Sequence, residues 1–267
     1  MSSKPILFCK AEACGNDFLI VESAGMGNDP AELSRCLCDR HRGVGADGVE
    51  WVSIDEKGQV VARLFNADGS EAEISGNGTR CVAAWAVERR GGSEVRILTG
   101  AGEKECMLLR RSEHEFEFMV EMGRAAVLGK KRIPIPGGNA KGLEISIGNP
   151  HFVEFVDRFP ERWQARAEVI GQSREFPHGT NVEFVRVLGR NKIEFRIFER
   201  GAGETQSSGT GSCASAIAAI HTGQVSSPVE VYAPGGKQVV HWDGADALLL
   251  EGPARLVCRG EFFYQDY

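Results

Sequence analysis

The chain of 267 residues lacks a long apolar run. No stretch approaches the roughly 18 apolar residues that a membrane-crossing helix needs. It also lacks a basic run: 31 Lys and Arg stand against 37 Asp and Glu, a net charge of −6. That balance argues against a nucleic-acid or anionic-membrane partner. The first residues, Met-Ser-Ser-Lys-Pro-Ile-Leu-Phe-Cys-Lys, hold too short an apolar run for an export signal, so a cytoplasmic protein is expected. Cysteine is present, but metal-ligand spacing is not. Eight cysteines are scattered along the chain, and Cys36 and Cys38 lie inside a helical pattern with no second pair. Reduced thiols and no metal site are expected. No nucleotide-binding fingerprint or phosphopyridine motif occurs, so any chemistry should run without an organic cofactor.

What the chain does have is a repeated stretch. Asn66-Ala67-Asp68-Gly69-Ser70-Glu71 leads to Ser75-Gly76-Asn77-Gly78 and then to an alanine-rich apolar helix. Glu199-Arg200-Gly201-Ala202-Gly203-Glu204 leads to Ser208-Gly209-Thr210-Gly211 and a second such helix. A Gly-rich loop that feeds a helix leaves N–H groups at the helix start, and that end favours an anion.

The two copies lie 133 residues apart, and the same offset relates other regions. It carries Gly15-Asn16 onto Gly148-Asn149, and Gly48-Val49-Glu50-Trp51-Val52 onto Asn181-Val182-Glu183-Phe184-Val185. It also carries the helix opened by Asp29-Pro30, expected to end near His41, onto a helical pattern at 162–172. One constant offset across four regions, in order, indicates a duplicated domain. Two like domains should face each other across a pseudo-two-fold axis, with both helix starts at one cleft. A carboxylate held there would have Ser75 on one side and Ser208 on the other. That geometry suits inversion at carbon, one face losing a proton and the other gaining one.

The motifs Gly15-Asn16-Asp17-Phe18, Arg42-Gly43-Val44-Gly45-Ala46-Asp47-Gly48, Phe65-Asn66-Ala67-Asp68-Gly69-Ser70, Gly76-Asn77-Gly78-Thr79-Arg80-Cys81, Gly148-Asn149-Pro150-His151, Gly179-Thr180-Asn181-Val182-Glu183-Phe184 and Glu199-Arg200-Gly201-Ala202-Gly203-Glu204-Thr205 resemble those of the diaminopimelate epimerase family. The likeness covers most of the chain, in family order. It implies an α+β fold of two pseudo-symmetric domains, each a mainly antiparallel sheet or barrel wrapped around a central helix. Expected bounds are 1–121, joined by the tail 257–267, and 122–256.

The resemblance also implies cofactor-independent conversion of LL- to meso-diaminopimelate, on the route to lysine and peptidoglycan. A homodimer would be in keeping with the family. Asn16, Asn66, Asn149, Asn181, Glu199 and Arg200 would contact substrate, and Gly76-Asn77 and Gly209-Thr210 would hold the carboxylate on the reacting carbon. His151 and Glu199 would assist the acid/base pair. The family pattern has cysteine before each Gly-x-Gly, as the two bases; this chain has Ser75 and Ser208. A thiol titrates near 8.5, whereas a hydroxyl needs a neighbouring base.

Blander readings stand beside these. The serines suit helix caps, Cys81 and Cys213 suit packing, and Glu71 and Glu204 suit loop capping. Three functions stay open: the epimerase, another isomerase, racemase or dehydratase of the same fold with a single strong base, or a catalytically silent amino-acid-binding protein. A deliberate double Cys→Ser variant is a form of the third.

Overall fold

Cys14 and Gly15 both hold positive φ, 51° and 79°, as a two-residue hairpin turn of type I′ requires at both central positions. They join the strands Ile6–Ala13 and Asn16–Glu22, with Ala13 opposite Asn16. The turn holds only those two residues, so pairing runs up to Ala13 and resumes at Asn16.

The computed structural model describes residues 5–56, 58–244 and 248–264. The chain divides into two units. One runs to Val120 and takes in the chain from Gly252 onward; the other is Glu121–Glu251.

In the first unit, helix α1 (Pro30–Cys38) starts as its sequence predicts, with the Asp29 carboxylate accepting from the Glu32 N–H at 3.0 Å. It stops short of His41. The Asp39 carboxylate accepts from the N–H groups of His41 and Arg42, at 2.7 and 2.8 Å, and turns the chain away. Gly43 then packs so close to the helix end that a Cβ would collide with the Cys36 carbonyl oxygen.

Helix α1 crosses from Asn16–Glu22 to the parallel strand Gly48–Ile54, placing Ile20 opposite Glu50. Val60–Asn66 returns antiparallel. Helix α2 (Gly76–Arg90) then crosses to Glu94–Thr99, parallel to Val60–Asn66. It is buried on every side from Asn77 to Val87, so it has no polar stripe and forms the unit's centre. Gly91, at φ 72°, ends it. Gly102–Ser112, Glu115–Glu121 and the last part of Leu249–Phe262 add antiparallel strands, the last pairing Ile6 with Phe262.

The second unit repeats this order. The antiparallel strands Ala126–Ile135, Gly138–Ser146 and Pro150–Phe155 lead through helix α3 (Trp163–Gly171) to the strand Asn181–Gly189, parallel to Pro150–Phe155 with His151 opposite Asn181. Lys192–Glu199 returns antiparallel. Helix α4 (Gly209–His221), buried from Gly211 to Ala219, crosses to Val229–Ala233. Gly236–His241 and the start of Leu249–Phe262 follow. Ile193, Phe195 and Ile197 pack on Cys213 and Ile217, each full burial of such a large aliphatic or aromatic side chain worth about 1.5–3 kcal/mol. Each unit is thus a mainly-β α+β structure around a buried helix, as the resemblance implied. Among the described residues no helix is long and apolar enough to cross a membrane.

Candidate active site

Each unit carries a candidate site of its own, built on the start of its buried helix. Ser75 is extended (φ −123°, ψ 125°) and its Oγ accepts from the Gly78 N–H at 3.1 Å. Ser208 does the same toward the Gly211 N–H at 3.3 Å. Both serines are therefore helix caps, as the bland reading required. The caps leave the N–H groups of Gly76–Asn77 and Gly209–Thr210 outside the intrahelical ladder, at the positive end of each helix dipole. A side-chain hydrogen bond involving an asparagine braces each start at the same distance. Asn77 Nδ2 donates to Asn16 Oδ1 at 3.4 Å, and Asn149 Nδ2 donates to Thr210 Oγ1 at 3.4 Å.

The second unit surrounds its serine with titratable groups. His151 and Glu183 are both 0 % exposed, and Nδ1 lies 2.6 Å from Glu183 Oε1. His151 Nε2 donates to Asn149 Oδ1 at 3.0 Å. That bond fixes a proton on Nε2, so Nδ1 and Oε1 share the next one. Burial pushes the Glu183 carboxyl up from its ordinary value, against the pull of His151. Its Oε2 has no partner among the described residues. Glu199 accepts from the Thr205 hydroxyl at 2.6 Å. Burial raises its pKa, and the hydroxyls of Thr205 and Ser208 beside it lower it. Ser208 Oγ is also 3.4 Å from Thr210 Oγ1. Ser208 therefore lies between a carboxyl on one side and, through Thr210 and Asn149, a buried His–Glu pair on the other.

The remaining residues named from the sequence are more peripheral. Asn66 is exposed and donates to Ser70 Oγ at 3.0 Å. Asn181 spends its amide on the backbone, donating to the Pro150 carbonyl at 3.0 Å and accepting from the Arg200 N–H at 2.9 Å. That bond pins the turn after Glu199. The exposed Arg200 guanidinium donates to the His178 carbonyl at 3.2 Å. Glu71 and Glu204 do not cap their loops: Glu71 pairs with Arg63 at 2.8 Å, and Glu204 accepts from Gln164 at 2.9 Å. Cys81 and Cys213 are fully buried, and burial holds the Cys81 thiol well above its ordinary pKa, so it is no substitute base.

Two buried groups escaped the sequence reading. Arg80 lies inside the first unit, donating to the carbonyls of Gly76 and Pro253 and, at 2.6 Å, to Asn77 Oδ1, so it orients the start of α2. Glu50 is 4 % exposed and has no hydrogen-bond or ion-pair partner among the described residues. Its signal was present: a lone charge inside the apolar run Val49-Glu50-Trp51-Val52, which the 133-residue offset sets on Glu183.

The family model described as diaminopimelate epimerase matches residues 8–128 and 144–257. The chain belongs to the diaminopimelate epimerase family. The diaminopimelate epimerase of Pelotomaculum thermopropionicum is 35 % identical over 97 % of this chain and 99 % of its own length. That of Corynebacterium aurimucosum is 39 % identical over 95 % and 98 %. Among solved structures, a hydroxyproline epimerase from Agrobacterium vitis with bound trans-4-hydroxy-L-proline has a TM-score of 0.70 at 15 % identity, covering 98 % of this chain and 92 % of that one. A Bacillus anthracis phenazine biosynthesis protein gives 0.71 at 17 %, covering 97 % and 99 %. These distant likenesses speak for the fold. Membership of the diaminopimelate epimerase family makes the chain an isomerase, with serine in both places where the family pattern has cysteine.

Proposed function

We propose that this chain epimerises diaminopimelate between the LL and meso forms without a cofactor, Ser75 and Ser208 handling the α-proton from opposite faces. The observation that carries this is Ser208, held at the start of α4 against the Glu199 carboxyl. A hydroxyl becomes a usable base when a neighbouring group takes its proton. As Ser208 Oγ accepts the α-proton, its own proton passes to Glu199, and the electron pair of the broken C–H bond is drawn toward the substrate carboxylate. The N–H groups opening α2 and α4 stabilise that carboxylate as charge builds on it. Ser75 then gives a proton to the other face. The buried His151–Glu183 pair supports Ser208 through Asn149 and Thr210. Asn16, Asn66 and Asn149 would contact the substrate, and Arg200 would take its distal carboxylate as a bidentate fork, on a turn that Asn181 pins.

The test is direct. LL-diaminopimelate is incubated with the protein and the stereoisomers are separated. The meso form should accumulate slowly, and the double variant S75C/S208C should raise the rate by about 10²-fold or more, as proton transfer by a positioned group typically contributes. Tight binding with no conversion by either protein would identify a binding protein instead. A second reading has its own support: His151, Glu183 and Glu199 all belong to the second unit. A one-base reaction would then exchange the α-proton with retention and never invert it.

A further inference from the structure

The proposed function leaves Ser75 without an evident proton partner. Position 66, the repeat counterpart of Glu199, is Asn66, and position 18, the counterpart of His151, is Phe18. The first unit nonetheless holds a carboxyl beside its serine. A Cβ built on Gly78 would collide with Glu50 Oε1 and lie 3.2 Å from Ser75 Cβ, so both side chains abut the same glycine at the start of α2. Glu50, Ser75 and Thr79 also line one small pocket. The second unit repeats the placement, with a Cβ on Gly211 3.2 Å from both Glu183 Oε1 and Ser208 Cβ. The difference is the partner: Glu183 has His151, and Glu50 has no hydrogen-bond partner among the described residues, in a wall that joins Ala62, Leu64 and Ile97 to Glu73 and Thr99. An apolar side chain of similar size would fill that space without the desolvation cost of a carboxyl.

We infer that Glu50 is a positioning residue that holds the proton for Ser75, so that the first half-site gives and takes a proton through the serine hydroxyl. This rests on the two-serine function proposed above. In the delivering direction the Ser75 O–H bond breaks as the substrate α-carbon gains its hydrogen. No direct hydrogen bond joins Glu50 to Ser75, so the relay runs through one water in the pocket they share: the Glu50 O–H bond breaks as the water regains the proton it gives Ser75, and Glu50 is left as carboxylate; in the retrieving direction every step reverses. Burial raises the Glu50 pKa to about 8, so the resting group carries the proton it needs at neutral pH.

The experiment compares the wild type, E50Q and E50Q/S75C in D2O with each stereoisomer of diaminopimelate, following α-deuterium and configuration together. Glutamine matches the neutral acid in size and keeps its dipole, so the fold should survive. E50Q should lose about 10²-fold in inversion, while exchange with retention persists for the stereoisomer whose proton faces Ser208. A cysteine at 75 titrates by itself and should restore inversion in the double variant. Independently of activity, the infrared C=O band of a protonated carboxyl should be present in the wild type and missing in E50Q. Inversion by E50Q at the wild-type rate overturns the role of Glu50. So does an equal loss on both faces that S75C does not rescue, since that marks a structural role. A wild type that exchanges no α-proton at all, even with the carboxyl band in place, sinks the proposed function and takes this role with it.

Discussion

Glu50 makes a prediction about stability that needs no substrate. Its carboxyl has a folded pKa of about 8 against 4.5 for the ordinary group, with burial as the cause. The folded value lies above the unfolded one, so between them the native state binds the extra proton. The stabilisation is fully present below pH 4.5 and is lost as pH rises through about 8. At about 1.4 kcal/mol per tenfold change in proton affinity, ionising Glu50 in place costs about 5 kcal/mol. That is a large fraction of the roughly 5–15 kcal/mol that holds a domain together. Glu50→Gln removes the titration and should leave stability at pH 5 nearly unchanged. By pH 9 the variant should be the more stable protein by several kcal/mol, an order-of-magnitude figure from the same linkage. Hydrogen exchange at the amides of Gly48–Ile54 reads the first unit by itself, at pH values from 5 to 9. Parallel pH profiles for the two proteins would refute the reasoning, because they would mean Glu50 ionises without penalty.

Three further outcomes follow from contacts in the second unit. His151→Ala strips the buried Glu183 of its partner and should cost about 3 kcal/mol in urea unfolding, toward the lower end for breaking a buried pair because Glu183 can take up a proton. Ser208→Ala removes the cap on the Gly211 N–H and should cost about 1 kcal/mol, lowering the melting temperature by about 2–4 °C. Gly211→Ala would put a Cβ 2.5 Å from Ile197 Cδ1 and should cost about 1–3 kcal/mol by overpacking, again read in urea.

Much of the frame could be read from the chain, because the features that build it are local. Asp29-Pro30 opens α1, Gly91 closes α2, and the Ser-Gly-x-Gly repeats open both buried helices, each through a hydrogen bond between residues close in sequence. The end of α1 could not be placed from periodicity, since the Asp39 side chain settles it by competing for the next N–H groups. Residues that depend on distant strands were harder still. His151 meets Glu183 only because their strands run side by side in parallel. Arg80 finds the Pro253 carbonyl at the far end of the chain. Glu50 looked like one charge among many until its strand placed it under α2. The offset between the repeats carried that information, since it sets Glu50 on Glu183, but their difference in partner is a matter of position 18 against position 151.

The central claim of the proposed function is that one serine removes the α-proton and the other delivers a new one to the opposite face. Wild type, S75A and S208A in D2O with LL-diaminopimelate decide it, by mass and configuration of the recovered amino acid. The account predicts inversion with one deuterium at the inverted carbon for the wild type. It predicts loss of inversion in both variants, with exchange at the original configuration surviving in only one of them. Inversion that survives loss of either hydroxyl, or a wild type that inverts without taking up deuterium, would contradict it.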